Sequence, residues 1–145
     1  MIPDAIELVI VTPEKQLLRE KAVEVQMPGE NGYLGILLGH APLMTELGIG
    51  ELSYHDIGGK ESAHVAIVRG FAEVLPDRVT VLAETAERAE EIDVQRAKDA
   101  LARAEKRLAA NDPNIDWDRA NIALQRALIR IQVATKKRSA LVSGS

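Results

Sequence analysis

Hydrophobic spacing changes once along this chain, near Glu84, and that change limits the fold to a β domain followed by helices. Before it, apolar and polar residues alternate with a period of two, as in Val23-Glu24-Val25-Gln26-Met27 and Val79-Thr80-Val81-Leu82-Ala83. Turn residues return about every 8 to 12 positions, the spacing of an all-β sandwich or barrel. The turns are specific. Thr12-Pro13-Glu14-Lys15 follows a strand expected over Ile6 to Val11, Gly58-Gly59 lies between two strands as a hairpin, and Leu75-Pro76-Asp77-Arg78 joins the last two. About nine or ten short strands fit this stretch; they are too short to enclose a ligand cavity, which favours a flattened sandwich filled by Val, Ile and Leu over an open barrel.

From Glu84 the texture becomes alanine and charge at helical spacing. Ala86, Ala89, Ile92, Ala97, Leu101, Ala104 and Leu108 form one stripe, predicting a helix of about 25 residues. Asn111-Asp112-Pro113-Asn114 breaks it, Asp116 can cap a second helix, and Ala120, Leu124, Ala127, Ile131 and Ala134 mark that helix's own stripe. The expected class is therefore α+β: a β-sandwich over residues 1–84, then an antiparallel two-helix hairpin over 85–145. Alanine faces bury little area at roughly 25 cal/mol per Å², so the hairpin is expected to be marginal and its helices separable. The only flexible run expected is Ser143-Gly144-Ser145.

Composition excludes several classes. With 145 residues and 46% hydrophobic content the chain can bury a core, and without cysteine it has neither disulfides nor thiolate chemistry. Met1-Ile2-Pro3-Asp4 lacks the pattern of a signal peptide, and no apolar run reaches the roughly 18 residues of a membrane helix, so membrane association is expected only through a partner. Four aromatics (Tyr33, Tyr54, Phe71, Trp117) and a net charge of −4 argue against nucleic-acid binding. The charge is uneven. Beyond Asp118 only Arg119, Arg126, Arg130, Lys136, Lys137 and Arg138 are charged, a +6 tail that leaves −10 for residues 1–118. Such blocks read either as an interaction surface or as a basic helix lying on an acidic neighbour in the same molecule.

Catalytic chemistry is not visible. Gly59-Lys60 is followed by Glu61 and lacks the phosphate-loop spacing, while His40, His55 and His64 show no metal-ligand spacing and no serine lies in a nucleophile elbow. His40 reads as a hydrogen-bonded turn residue or a partner contact, and His55 and His64 as strand surface. The arginines are more informative. At about 100° per residue, Arg119, Arg126 and Arg130 fall within about 40° on the second helix, and Arg96, Arg103 and Arg107 share that spacing on the first. Ion pairs such as Asp99 with Arg103 account for the first stripe. They cannot account for the second, because no acid lies beyond Asp118, so Arg126 and Arg130 need an external anion or an acid from elsewhere.

Between Gly29 and Gly50, glycine and proline punctuate short apolar runs that no helix tolerates. Within that block, Gly35, Ile36, Leu37, Gly39, His40, Ala41 and Pro42 resemble the signature of the epsilon subunit of bacterial F-type ATP synthases. The family usually carries proline where this chain has Leu38, which bears on local loop geometry. A second similar block is Val68-Arg69-Gly70-Phe71-Ala72-Glu73-Val74, and the order of sandwich and hairpin extends the resemblance over nearly the whole chain.

The resemblance implies a non-catalytic subunit of the central stalk of a proton-translocating synthase, one that couples rotation to ATP synthesis and inhibits ATP hydrolysis through its helices. The implied partners are the gamma subunit, the c-subunit ring and the alpha/beta catalytic head, whose acidic loop would compete for the basic helix. The implied location is the cytoplasmic face of the bacterial plasma membrane, or a thylakoid. Some epsilon subunits bind ATP through Ile-Asp-x-x-Arg-Ala, and here Ile92, Asp93, Arg96 and Ala97 match, with Glu87, Arg103, Arg126 and Arg130. That likeness implies ATP as a regulatory ligand, its adenosine at the first turns of the hairpin and its phosphates on the arginines, with no cofactor and no metal required. On the sandwich, Glu30, Asn31, Gly32 and Tyr33, with His40, Pro42 and Met44, are the implied stalk and c-ring contacts; Tyr33 reads equally as an exposed contact or a core tyrosine with a wet hydroxyl. The competing readings are a free-standing ATP-sensing module and an enzyme with its site in the sandwich.

Overall fold

A computed structural model describes residues 2–58 and 61–136. Six strands come first: β1 (Ile6–Val11), β2 (Gln16–Gly29), β3 (Gly32–Leu37), β4 (Leu43–Asp56), β5 (Ser62–Leu75) and β6 (Arg78–Arg88). They are hydrogen-bonded in the order β1-β6-β5-β4-β2-β3, and β1 also pairs with β2, closing the first five strands into a flattened ring with β3 on its flank. Among the described residues only the β1–β6 pairing is parallel. The sequence suggested nine or ten short strands. Three strands of 14 residues take their place because one chain segment serves two neighbours in turn. β2 shows how: its first half pairs with β1, its second half with β3, and its ladder to β4 shifts register after Ala22 and again between Gln26 and Gly29.

The expected turns form. The Thr12 N–H donates to the Lys15 carbonyl at 2.9 Å between β1 and β2, and Pro76-Asp77 closes β5 onto β6. Asp56 and Ser62 end the β4–β5 hairpin as expected from Gly58-Gly59, although Gly59 and Lys60 lie outside the described residues. The alternating positions meet in one core that includes Ile6, Leu8, Ile10, Met27, Ile67 and Val81. Tyr54 is the core tyrosine, its hydroxyl donating to Glu20.

The helical half begins later than its composition suggests. β6 continues to Arg88, with Thr85–Arg88 opposite Val65–Val68 of β5, a single 3₁₀ turn covers Ala89–Glu91, and α1 spans Val94–Ala109, 16 residues rather than about 25. Pairing along the β5 edge outweighs the helix preference of Glu84, Ala86, Glu87 and Arg88, since intrinsic propensity is small beside tertiary pairing. Asp93 caps α1 by accepting the Arg96 N–H at 3.1 Å, and Asp116 caps α2 (Trp117–Ala134) by accepting the Arg119 N–H at 3.0 Å. Ser143-Gly144-Ser145, Lys137 and Arg138 lie outside the described residues.

The second helix does more than its predicted stripe allowed. Ala120, Ala127 and Ala134 are buried as expected, but Leu124 and Ile131 are only half-buried, and Ile129 and Val133 are buried instead. The reason is a second partner. α2 packs both against α1 and against the sheet, where Ile129, Val133 and Ala134 join Ala66, Ala89 and Ile92 in a separate apolar cluster. α1 meets α2 through Ala97 and Ala104, so the hairpin is docked on the sandwich chiefly by one helix.

Candidate functional site

Two regions collect the candidate residues. Between the facing sides of α1 and α2 lies a groove of about 370 Å³ lined by Arg103, Arg107, Arg119, Arg126 and Arg130, floored by alanines. Small residues at Ala100, Ala104, Ala123 and Ala127 let the helices approach while the long side chains stand over the seam. Arg130 has found the acid that its own helix cannot supply. Its Nη2 donates to Glu87 Oε2 at 3.2 Å, and Nε lies 2.8 Å from Oε1 but off the hydrogen-bond axis. Among the described residues, Arg103, Arg107, Arg119 and Arg126 form no ion pair with any acid. The expected Asp99–Arg103 pair is absent among the described residues; Asp99 Oδ1 accepts from Gln95 Nε2 at 3.0 Å.

The residues matched to the Ile-Asp-x-x-Arg-Ala motif divide by environment. Ile92 and Ala97 are buried, one in the cluster between sheet and hairpin and the other against α2, so neither side chain offers a surface to a base in this arrangement. Asp93 is engaged as the α1 cap. Arg96 is exposed and outside the groove, whereas Arg103, Arg126 and Arg130 are brought together in it. Arg107 and Arg119, left out of the ligand set, line the groove as well; their matching spacing on each helix was the available signal.

The second region is the β2–β3 tip. Glu30, Asn31, Gly32, Tyr33 and Met44 line one depression of about 440 Å³. Tyr33 is 61% exposed, yet its hydroxyl accepts the Glu51 N–H at 3.1 Å, which combines an open ring with a fixed polar end. Glu30 N–H donates to the Glu46 carbonyl at 3.0 Å, bringing two carboxylates together. A hydrogen bond to Glu30, reinforced by the charge of that carboxylate, holds the Glu46 carboxyl above the usual range. His40 and Pro42 belong to the β3–β4 loop instead. His40 Nδ1 donates to the Ala41 carbonyl at 2.6 Å and Gly39 N–H to Pro76, so His40 is a hydrogen-bonded turn residue.

The sequence did not single out a broader apolar groove of about 640 Å³ where β1, β4, β5 and β6 meet, with Phe71 51% and Leu82 54% exposed in its wall. Nor are His55 and His64 plain strand surface: both are half-buried, His55 against the Ser62 hydroxyl at 3.2 Å and His64 against Glu51 at 3.2 Å. The described residues contain no group of His, Asp and Glu suited to a metal ion and no helix long and apolar enough to cross a membrane.

A sandwich with two surface depressions and a docked, cation-lined hairpin is suited to recognition of partners or anions. Comparison with known proteins gives the family. Residues 5–89 match the beta-sandwich domain of the ATP synthase Delta/Epsilon chain, and residues 90–135 match its long alpha-helix domain. An ATP synthase epsilon chain of Koribacter versatilis is 58% identical over 110 residues, 76% of each chain. One of Solibacter usitatus is 49% identical over 136 residues, covering 94% of this chain and all of that one. A chain in the cryo-EM structure of Euglena gracilis mitochondrial ATP synthase superposes with a TM-score of 0.79 at 26% identity, over 93% of this chain and 84% of that chain. The chain belongs to the epsilon chains of ATP synthases. As such it is a non-catalytic subunit and no enzyme on its own.

Proposed function

We propose that the chain is a central-stalk rotor subunit that couples rotation to ATP synthesis, and that its hairpin restrains ATP hydrolysis with ATP favouring the folded form. One observation carries the regulatory part: four guanidinium groups, those of Arg103, Arg107, Arg119 and Arg126, face one groove without an acid among the described residues. Their mutual repulsion is relieved by a polyanion, and forked guanidinium donors suit phosphate oxygens. A triphosphate bridging α1 and α2 would clamp two helices whose alanine interface buries little area. Glu87 keeps Arg130 in place at the groove's end, and the same cations are available to an acidic loop of the alpha/beta head when the hairpin opens.

The sandwich supplies the assembly surfaces. The groove flanked by Phe71 and Leu82 suits an apolar partner surface such as the gamma subunit, because half-exposed large apolar side chains clustered in a concavity mark interfaces. The tip at Glu30, Asn31, Gly32, Tyr33 and Met44, with His40 and Pro42 beside the neighbouring loop, would face the c ring. The subunit would thus be peripheral to the membrane through the complex.

The test of the phosphate clamp is Arg103→Ala combined with Arg126→Ala, since neither residue is engaged in an ion pair that holds the fold. Calorimetric titration of the full chain is expected to show at least a tenfold loss of ATP affinity, about 1.4 kcal/mol, with unchanged thermal stability. Undiminished ATP affinity in the double variant would remove the clamp.

A further inference from the structure

The last turn of α2 and the β2–β3 tip are joined through one residue, Glu51 of β4. Its side chain is only 12% exposed, yet it receives two partners: Lys136 Nζ lies 3.0 Å from Oε1 and 3.1 Å from Oε2, and His64 Nδ1 lies 3.2 Å from Oε2. Lys136 comes just after the segment whose Ile129, Val133 and Ala134 dock the hairpin on the sheet. The backbone N–H of Glu51 has a different partner. Pairing of β2 with β4 lapses between Gln26 and Gly29, where Pro28 has no N–H to offer, and the Tyr33 hydroxyl occupies the gap as acceptor of the Glu51 N–H at 3.1 Å. Gly50 makes room for it, since a Cβ there would lie 2.9 Å from the Tyr33 hydroxyl and 2.6 Å from Pro28 Cβ.

We propose that Glu51 is a relay: Lys136 on its carboxylate latches α2 to the sandwich, and Tyr33 on its amide couples the state of that latch to the β2–β3 tip. Opening the latch takes the Lys136 contact from the Glu51 carboxylate and leaves His64 as its remaining partner in this cluster, which disfavours the open form. Displacing Tyr33 leaves a strand N–H without an acceptor at the same residue, so each event alters the cost of the other. A surface that grips Tyr33 thereby shifts the docking of the hairpin. This consequence rests on the proposed role of the tip as a partner contact; the relay itself concerns the isolated chain.

Hydrogen exchange of the full chain without ATP or partners separates the two. Lys136→Gln is expected to speed exchange of the α2 amides over Ile129–Ala134 about tenfold while the sheet amides of Val65 and Val79 stay protected, and Lys136→Arg to restore most of the protection. Tyr33→Phe is expected to speed the same α2 amides about threefold in the parent chain and not at all in Lys136→Gln. Unchanged α2 exchange in Lys136→Gln overturns the latch. Equal effects of Tyr33→Phe in both backgrounds overturn the relay, as does acceleration that spreads to the sheet amides in either variant. None of these readings depends on ATP binding.

Discussion

Two carboxylates share the β2–β3 tip, and their proximity gives the sandwich a pH dependence of known sign. Glu46 is held above its ordinary range first by its hydrogen bond to Glu30 and then by the charge of that neighbour. A carboxyl raised in the folded state stabilises the fold when protonated, and that contribution is lost as pH rises through the raised value. Melting temperatures of Glu46→Gln and the parent should therefore converge at low pH and separate above the usual glutamate range, with the variant the more stable. Curves that run parallel from acid to neutral pH would remove the shared proton. Gly70 is a different kind of constraint. Its φ is +155°, and a Cβ would meet the Leu82 carbonyl oxygen at 2.0 Å. Arg69 before it already sits at φ +50°. Backbone atoms of β6 cannot yield as a flexible side chain would, so Gly70→Ala is expected to cost about 2–4 kcal/mol in urea unfolding. Phe71 next to it would then shift in the groove proposed to face the gamma subunit.

At the scale of elements, Asp93 has two roles that substitution can separate. As the α1 cap it accepts the Arg96 N–H, and as part of the ATP-binding motif it would supply a negative charge. Asp93→Ser keeps a capping oxygen and removes the charge, whereas Asp93→Ala removes both. Loss of the cap is expected to cost the hairpin about 0.5–2 kcal/mol, read as faster exchange along α1, in the alanine variant only. If nucleotide contact matters, ATP affinity falls in both. The cap at Asp116 was legible because it stands immediately before a periodic segment, and the turns at Thr12 and Pro76 because proline fixes its own φ; the cap at Asp93 was not, because the apolar stripe expected there ran on through it from Ala86. The joining of short strands into long ones was not, since register shifts depend on neighbours distant in sequence. The end of β6 was misread for a related reason: Glu84–Arg88 has helical composition, and only β5 alongside makes it a strand. The arginine groove was half legible. Spacing placed Arg126 and Arg130 on one face of α2 but could not reveal that Glu87, 43 residues away, pairs with Arg130.

For the whole molecule, the issue is whether ATP alone can govern a hairpin attached this way. At 100 times its dissociation constant a ligand supplies about 2.7 kcal/mol, whereas moving a population from 1:99 to 99:1 needs about 5.5. The folded form must then lie close in energy to the open one. Its attachment is consistent with that: a cluster of three residues of α2 on Ala66 of β5 and on Ala89 and Ile92 of the 3₁₀ segment, flanked by the Glu87–Arg130 and Glu51–Lys136 pairs. Two partly exposed ion pairs and a small apolar patch make a junction weaker than the continuous sandwich core. The halves should separate before the sandwich melts. Truncation after Asp93 is expected to keep the cooperative unfolding of the sheet and assembly into the stalk, because β6 and the 3₁₀ turn remain intact, while inhibition of ATP hydrolysis is lost. It also uncovers Ile92 and Ala89, so Ile92→Ser belongs in the truncated chain to suppress association through the bare patch. Copurification with gamma together with uninhibited hydrolysis in the reconstituted complex is the expected result. Failure to assemble, with the sheet still folded by circular dichroism, would assign the hairpin a structural role in the stalk in place of a regulatory one.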